Sequence, residues 1–312
     1  MTLTQLSYII AVDTFRSFAA AANHCCVTQP TLSMQIRKLE EELGVQLFDR
    51  SKKPVIPTAI GQGIVLQART ILKEADRIPE LIQAQLGEIQ GELRIGIIPT
   101  LSPYLLPRFI TQFIQQYPKV SLVVEELLSE QIIYKLNHDL LDLGIMVAPE
   151  KQQGLRVQAL FYEAFVVYAS TSHPLIQKNT IAFSDLNLDE MWLLKEGHCF
   201  RSQSLKICGE EQAENSSLPL RFEMGSLETL KKIIERQYGY TLLPELAVLD
   251  LNDGQQQYIR YFQSPPPVRE ISLVVHRSFL KEQLIHAFRE VLLDHIPQAL
   301  LQKERGDRIP WD

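Results

Sequence analysis

Residues 18–50 read FAAAANHCCVTQPTLSMQIRKLEEELGVQLFDR, and this stretch decides how the first part of the chain folds. Ser17 is a typical N-cap, so we expect a short alanine-rich helix over 18–24. Thr28, followed two residues later by a proline, predicts the start of another helix, which Gly44 ends. Apolar residues recur within this helix every three or four positions, which predicts one buried face.

The opposite face of that second helix carries polar side chains. A short helix, a turn and a second helix with amide, hydroxyl and basic groups on its outer face are typical of a helix-turn-helix, in which such groups reach base edges and phosphates. A small helical bundle with a polar exterior is the alternative on this pattern alone. The candidate DNA-contacting residues are Gln29, Pro30, Thr31, Ser33, Gln35 and Lys38.

The next segment, LFDRSKKPVIPT (47–58), has two prolines and alternating apolar positions, which predicts a short hairpin or wing. We expect Arg50, Lys52 and Lys53 to contact phosphate there, adding affinity that does not depend on base sequence.

A long helical pattern follows and carries a heptad repeat of apolar residues. The repeat consists of Ile64, Ala68, Ile71, Ala75 and Ile78. A seam of this kind needs a partner helix, so we predict dimerisation through it. We also expect Pro79 to kink this helix or to end it early.

After Gly91 the pattern changes to alternating strands and helices, which predicts an α/β fold with a parallel sheet and ligand space beyond the carboxyl ends of its strands. The predicted strands are 92–98, 120–126, 143–147, 159–170, 191–196, 221–226, 239–244 and 270–276, and the predicted helices are 102–116, 129–138, 226–237 and 279–293. We expect the final residues, 301–312, to form a loose tail.

Composition and charge narrow the class of protein. The chain has 312 residues, of which 46% are hydrophobic and 22% charged, so it should fold into two or three domains. The net charge is −6, and residues 1–90 are neutral overall. Four cysteines predict a reducing compartment, and the absence of a leader or of about 20 consecutive apolar residues predicts a cytoplasmic protein without a membrane span.

Several motifs together resemble the LysR-type transcriptional regulators over essentially the whole chain. They are the stretch 18–50, GELRIGIIPTLSPYLLP (91–107), LLKEGHCFRSQSLKIC (193–208), and SLETL (226–230) followed by TLLPELAV (241–248). Within that family these motifs are similar to those of the hydrogen-peroxide-responsive branch.

The resemblance implies a winged helix-turn-helix, a dimerising linker helix and a regulatory domain with the fold of periplasmic binding proteins. The expected boundaries are 1–58 for the DNA-binding domain, 59–90 for the linker, and 91–312 for the regulatory domain, with lobe I at about 91–161 and 268–300 and lobe II at about 162–267. The implied partners are double-stranded promoter DNA, further copies of the chain in dimers and tetramers, RNA polymerase, hydrogen peroxide as the signal and a thiol reductant that resets it. No cofactor and no metal are expected, and the implied place is the bacterial cytosol, at the nucleoid.

Cys199 and Cys208 are the candidate redox residues. A thiol reacts as its thiolate, and we expect the pKa of Cys199 to be lowered beside His198 and Arg201 at a helix start. A helix over 199–208 would separate the two Cα atoms by about 13 Å. A disulfide needs Cα atoms within roughly 7 Å, so forming one would require the helix to unwind.

The family resemblance assigns roles to these positions. It implies that peroxide oxidises Cys199 to a sulfenic acid, which Cys208 captures as a reversible disulfide that changes how dimers hold an antioxidant-gene promoter. It carries the peroxide pocket over to Thr100, Ser129, His198 and Arg269, beside Cys199. Ser202 stands where better-known members have an acidic residue, which puts an acid or base role there in doubt.

Alternatives and remaining cysteines complete the expectations. We predict that Cys25 and Cys26 are packing residues, and the motif around them predicts no zinc site. A LysR-type regulator that binds a small organic effector between its lobes is the nearest alternative. A thiol peroxidase would give residues 1–90 no role, and a transport binding protein would need a signal peptide.

Overall fold

The structure is a computed structural model that describes residues 1–86, 89–147, 154–209, 225–277 and 281–311. In the helix that ends at residue 86, the side chains at 73, 76, 77 and 79–86 are outside the description. The chain divides into two compact units, Met1–Glu88 and Ile89–Asp312.

The elements of the first unit are, in chain order, α1 (Leu3–Phe15), α2 (Phe18–His24), α3 (Gln29–Leu43), β1 (Phe48–Asp49), β2 (Ile56–Pro57) and α4 (Ala59–Leu86). β1 and β2 pair antiparallel, so the wing is confirmed as a short hairpin. α4 continues past position 79, so the early end expected at Pro79 is wrong.

Side chains and one glycine set the helix ends that the sequence indicated. The Ser17 hydroxyl accepts a hydrogen bond from the Ala20 amide, and the Thr28 hydroxyl accepts one from the Thr31 amide, both at 3.4 Å. Gly44 takes the left-handed conformation, with φ of 69°, which a residue with a Cβ adopts at a cost. The predicted boundaries of α2 and α3 are therefore confirmed.

The core of the first unit lies between α1, α3 and the first turns of α4. Leu32, Ile36 and Leu39 on α3 are fully buried, which confirms the predicted apolar face. Arg69 on α4 donates to the Asp13 carboxylate of α1 at 3.1 Å, and both side chains are largely buried. Burial keeps this ion pair out of water and fixes α4 against α1.

The elements of the second unit are, in chain order, β3 (Gly91–Ile97), α5 (Ser102–Gln116), β4 (Val120–Glu126), α6 (Ser129–Asn137), β5 (Leu143–Met146), β6 (Leu155–Ala169), β7 (Thr180–Ile181), α7 (Cys199–Ile207), α8 (Leu227–Ile234), β8 (Tyr240–Pro244), α9 (Asp253–Gln256), β9 (Ile259–Phe262), β10 (Pro267–His276), α10 (Glu282–Asp294) and β11 (Asp307–Arg308).

A continuous sheet connects two hydrophobic cores in this unit. Its strands run in the order β4-β3-β5-β10-β6-β9-β7, with β8 also paired to β6 and β11 to β10. β6 pairs with β10 through residue 164 and with β8 from residue 165, so one long strand belongs to both lobes. Lobe I packs its core around Phe109, Phe113 and Phe288. Lobe II packs its core around residues such as Tyr168 and Tyr240.

The prediction of a parallel sheet is correct for part of it. β3 is parallel to β4 and β5, as βαβ units require, but β10 runs antiparallel to both β5 and β6. The expected strand at 191–196 is wrong: this segment has single bridge positions at Met191, which pairs with Tyr240, and at Leu194, rather than a strand. Most of the expected strand at 221–226 lies outside the described residues.

The expectation of a loose tail is also wrong. Residues 302–311, which we call the strap, pack onto both lobes. The Asp307 amide donates to the Pro266 carbonyl, and the Ile309 amide donates to the Val268 carbonyl, each at 2.9 Å. Trp311 packs against the core of lobe I, and Ile309 packs against that of lobe II. The polar composition of this segment predicted a solvent-exposed tail, but strand pairing and the side chains of Ile309 and Trp311 hold the strap against the two lobes.

Among the described helices, none combines the length and the apolar character that crossing a bilayer requires.

Gly306 provides a test of the strap's packing. A Cβ at this position would lie 2.0 Å from the Pro266 carbonyl oxygen, so alanine would force the backbone apart. We expect Gly306→Ala to lower the free energy of unfolding of the second unit by about 1–3 kcal/mol. Urea denaturation followed by tryptophan fluorescence measures this, with Lys303→Ala, at an exposed position of the same strap, as the control. Equal stability of the two variants would contradict the packed strap.

Candidate functional site

A buried ion pair stands at the centre of the second unit. Arg269 on β10 is 1% exposed and faces Glu163, its cross-strand partner on β6. The Arg269 guanidinium donates to one carboxylate oxygen through Nε at 2.9 Å and lies 2.7 Å from it through Nη2. The other carboxylate oxygen accepts a hydrogen bond from the Leu246 amide at 3.2 Å. Both charges are therefore satisfied inside the protein.

The remaining donors of Arg269 reach the loop after β3. Nη1 donates to the Thr100 hydroxyl at 2.9 Å, and Nη2 donates to the Thr100 carbonyl at 3.2 Å. The guanidinium also lies 5.0 Å from the ring centre of Phe200, which stacks on Phe165. One arginine thus connects β10, β6 and the β3–α5 loop.

Cys199 is the first residue of α7 and is 4% exposed. Its side chain packs with the core of lobe I, whereas the next residue, Phe200, packs with the core of lobe II. The Ser129 hydroxyl faces the thiol from the start of α6, and its Oγ has no hydrogen bond of ordinary geometry within the described residues. The thiol therefore sits between the lobes, beside a hydroxyl.

Burial raises the pKa of the Cys199 thiol, while the Arg269 cation and the Ser129 hydroxyl oppose that rise by favouring the thiolate. The expectation of a lowered pKa is therefore wrong for this conformation, because the loss of water outweighs the cation. The cation that acts on the thiol is Arg269 rather than Arg201, whose guanidinium donates to the Leu194 carbonyl at 3.0 Å.

His198 is the N-cap of α7 and is buried. Burial lowers the pKa of its imidazole, and the nearby Lys195 lowers it further, so the ring is neutral near pH 7. Its Nε2 has no hydrogen-bond partner within the described residues and lies where a Cβ on Gly225 would be 3.7 Å away. A neutral imidazole with a free nitrogen is able to accept a proton.

The family resemblance places five residues together, and the structure brings four of them close to one another: Thr100, Ser129, Cys199 and Arg269. Thr100 is bonded to Arg269, and Arg269 and Ser129 both act on Cys199. His198 adjoins Cys199 in the chain, and no described bond joins its ring to the others. Glu163 was missed, although an acidic residue inside the apolar run FYEAFVV is the signal that marks a buried charge.

Cys208 lies at the other end of the same helix, as the C-cap of α7. Its sulfur is 3.8 Å from the Met191 sulfur and lies beside the Tyr240 phenol, in lobe II. Neither cysteine is joined in a disulfide. Nine helical residues at 1.5 Å each separate their Cα atoms by about 13 Å, so a disulfide between them requires α7 to unwind.

The outer face of α3 forms the candidate nucleic-acid interface. The first three candidates on this helix and Lys38 are exposed, whereas Ser33 and Gln35 are half-buried, and Gln35 accepts a hydrogen bond from Gln5. Met34 is 61% exposed on this helix as well, although it is not among the residues that the sequence predicts to contact DNA. A methionine there is suited to contact with a thymine methyl group.

Arg50 braces the wing against α3. Its guanidinium donates to the Ser33 hydroxyl at 3.0 Å and to the Glu40 carboxylate at 2.9 Å, and it lies 4.8 Å from the Phe18 ring centre. These contacts engage the Arg50 guanidinium within the protein, although the sequence predicts that it contacts phosphate. Lys52 and Lys53 remain exposed at the tip of the wing.

The predicted dimer seam on α4 mostly faces the first unit itself. Ala68 is buried in that unit's core, and Ile64 and Ile71 pack against it. The seam prediction is therefore wrong for these three residues, because the heptad pattern reported a core face. Ile78 is 63% exposed and Ala75 is half-buried, whereas Leu66, at 68% exposed, lies on the opposite side of the helix from Ala68.

The two neighbouring cysteines of the first unit differ from each other. Cys25 is half-buried and packs against the core, as expected. Cys26 is exposed, with a positive φ of 54°, so its prediction as a packing residue is wrong. In the described ranges no group of three metal-ligating side chains comes together.

Two family models match the chain: the bacterial regulatory helix-turn-helix of the lysR family over residues 3–62, and the LysR substrate binding domain over residues 86–297. A hydrogen peroxide-inducible genes activator of Haemophilus influenzae is 37% identical over 88% of this chain and 90% of its own length. The DNA-binding transcriptional dual regulator OxyR of Escherichia coli is 35% identical over 97% of this chain and 99% of its own length. A full-length OxyR variant from Pseudomonas aeruginosa superimposes with a TM-score of 0.75 at 35% identity, covering 94% of this chain and 98% of that one.

The charge balance at Cys199 can be tested by pH. In the double variant Glu163→Gln/Arg269→Met, the thiol loses its cation without leaving a buried charge unpaired. We expect the pKa of Cys199 to rise by about one unit or more, so that alkylation below that pKa slows about tenfold. The pH dependence of the iodoacetamide reaction rate, followed by mass spectrometry, measures the shift.

Glu163→Gln alone is the matched control, because it keeps the cation and removes its counter-charge. Its curve should move in the opposite direction, with Cys199 reacting at lower pH. Overlapping curves for the three proteins would contradict a role for Arg269 at the thiol.

Proposed function

Because this chain belongs to the LysR family of bacterial transcriptional regulators, we propose that it is a DNA-binding regulator of the OxyR type that senses hydrogen peroxide through Cys199 and Cys208. One observation carries the proposal. Cys199 is the first residue of a helix and lies beside a buried cation and a hydroxyl, and the same helix ends at a second thiol that is not in a disulfide. The activators of Haemophilus influenzae and Escherichia coli, similar over most of their length, support it.

The first chemical step uses the groups around Cys199. The thiolate attacks one oxygen of hydrogen peroxide, the O–O bond breaks, and the second oxygen leaves with a proton as water. The sulfur becomes a sulfenic acid. Arg269 stabilises the thiolate, the Ser129 hydroxyl lies where it can donate to a peroxide oxygen, and neutral His198 can take the thiol proton.

The second step joins the two thiols. The Cys208 thiolate attacks the sulfenic sulfur, the S–S bond forms, the S–O bond breaks, and a second water leaves. In total, two thiols and one peroxide give a disulfide and two waters. Since the helical distance of about 13 Å forbids this bond, α7 must unwind, and the switch consists of this exchange of one packing for another. A dithiol reductant reverses it.

Rearrangement of α7 is transmitted to DNA binding by the first unit. We assign promoter contacts to the exposed face of α3, including Met34, and phosphate contacts to Lys52 and Lys53. We assign dimerisation to exposed apolar side chains of α4: Ile78, which continues the seam, and Leu66, on the side opposite Ala68. Tetramers built from such dimers, RNA polymerase as partner, and the bacterial cytosol as location belong to the same proposal.

A regulator that responds to a small organic effector is the second candidate. A cavity of about 410 Å³ lies between α5 and α8, lined among others by Tyr104, Arg108 and Lys231. Its charged lining is suited to a polar effector. The pair of cysteines at the ends of α7 favours the redox function over the effector-binding function.

Peroxide treatment tests the switch. We expect a stoichiometric amount of hydrogen peroxide to produce a peptide crosslink between Cys199 and Cys208 that a dithiol removes. Cys199→Ser should abolish both this crosslink and the promoter response, whereas Cys25→Ser and Cys26→Ser should leave them unchanged. Non-reducing peptide mass spectrometry and a reporter assay give the two readouts. A normal response in Cys199→Ser would overturn the sensing function and favour the effector.

The wing gives a separate test of DNA binding. Lys52 is exposed and placed to neutralise one phosphate, so Lys52→Ala should weaken binding to all sequences and reduce the salt slope of log K by about one unit. Fluorescence anisotropy at several salt concentrations measures this slope, with Lys303→Ala on the regulatory unit as control. A slope identical to that of the unchanged protein would remove Lys52 from the DNA interface.

A further inference from the structure

The strap reaches the helix that carries the redox thiols. Gln203 lies in the middle of α7 and is fully buried. Its Nε2 donates to the Ile309 carbonyl of the strap at 2.6 Å. Because residues four apart share one face of a helix, Gln203 projects on the same side as Cys199. The strap therefore holds the face of α7 that carries Cys199.

The strap is itself anchored at two further places. The Arg305 guanidinium binds both oxygens of the Glu245 carboxylate, at 2.7 and 2.9 Å, and donates to the Tyr162 carbonyl at 2.9 Å. β11 pairs with β10 at Pro267 and Val268, directly before the buried arginine. These contacts leave the strap little freedom to follow α7 if that helix unwinds.

Unwinding of α7 must break the contact with the strap. In this structure the Gln203 amide reaches the Ile309 carbonyl while α7 is helical at residue 203, so unwinding there would displace the donor. A buried carbonyl that loses its donor without access to water is unfavourable, so this contact stabilises the reduced, helical state relative to the disulfide state. By linkage, whatever stabilises the reduced state makes the disulfide easier to reduce.

We propose that Gln203 and the strap are positioning elements that set the redox midpoint of the Cys199–Cys208 switch by holding α7 helical. This inference rests on the proposed function and goes beyond it, because it assigns the midpoint to a contact between α7 and the strap rather than to the two thiols alone. The peroxide pocket decides how fast Cys199 is oxidised, and the strap decides how completely the disulfide forms at a given thiol potential.

The test compares disulfide stability in five proteins: the four of a double-mutant cycle and one control variant. Each is equilibrated in glutathione buffers of graded ratio, and the fraction of Cys199–Cys208 disulfide is measured by alkylation and mass spectrometry. Gln203→Leu removes the donor and keeps the apolar volume. We expect the disulfide to become about tenfold more stable, which corresponds to a midpoint about 30 mV lower.

A double-mutant cycle isolates the contact. A chain truncated after Lys303 should show a lowered midpoint as well, and Gln203→Leu should add no further shift in that background. Arg308→Ala is the matched control within the strap, because its side chain reaches Glu270 at 3.3 Å rather than α7. It should keep the original midpoint. Circular dichroism of the reduced proteins confirms folding, and if the truncated chain does not fold, Gln203→Leu decides alone.

The outcomes separate the two levels of inference. A folded Gln203→Leu protein with an unchanged midpoint overturns the role of the strap and leaves the switch intact. Additive shifts in Gln203→Leu and the truncated chain show that the two act separately and also overturn it. If the unchanged protein forms no Cys199–Cys208 disulfide in any buffer, the proposed function itself fails.

Discussion

The buried pair of Glu163 and Arg269 is the constraint on which the regulatory unit depends. The two residues face each other across β6 and β10, and the guanidinium extends from there to Thr100. Moving two charges out of water is unfavourable by several kcal/mol each, so the pair persists only because hydrogen bonds satisfy both partners. Removing one partner would strand the other. The geometry around the pair is consequently rigid, and it fixes a positive charge beside Cys199.

That charge acts against burial, and the balance defines the thiol's chemistry. Burial raises the pKa of Cys199, and Arg269 with Ser129 limits the rise. A buried thiol with a raised pKa reacts slowly with bulky oxidants and alkylating agents, because only a small fraction of it is thiolate and its solvent exposure is low. Under the proposed function, the oxidant that this thiol meets is hydrogen peroxide, which is small and neutral. Selectivity therefore comes from the combination of burial and a local cation, rather than from a thiol that is reactive in general.

α7 joins this site to the rest of the unit. Cys199 at one end packs with lobe I, Cys208 at the other lies in lobe II, and Gln203 between them is bonded to the strap. Because helical geometry keeps the thiols about 13 Å apart, oxidation cannot be accommodated locally. The position of the equilibrium between the reduced and the disulfide state therefore depends on two quantities. One is the stability of the helix, its caps and its contacts with the strap, and the other is the free energy of forming the disulfide bond. A change at two sulfurs becomes a change in packing between lobes.

Local rules in the sequence determined the helices of the first unit and most of the longer helices and strands of the second, whereas the roles of the two thiols came from the family resemblance. Ser17, Thr28 and Gly44 act within one turn of the chain, so their capping roles follow from neighbouring residues alone. Tertiary structure decided the contacts between residues that are distant in sequence. Glu163 forms an ion pair with Arg269, Arg50 forms one with Glu40, and the apolar repeat of α4 faces its own domain. Tertiary structure likewise turned an apparently solvated tail into the strap. The sequence shows which side chains need an apolar neighbour or an opposite charge. Only the tertiary structure determines which residue provides it.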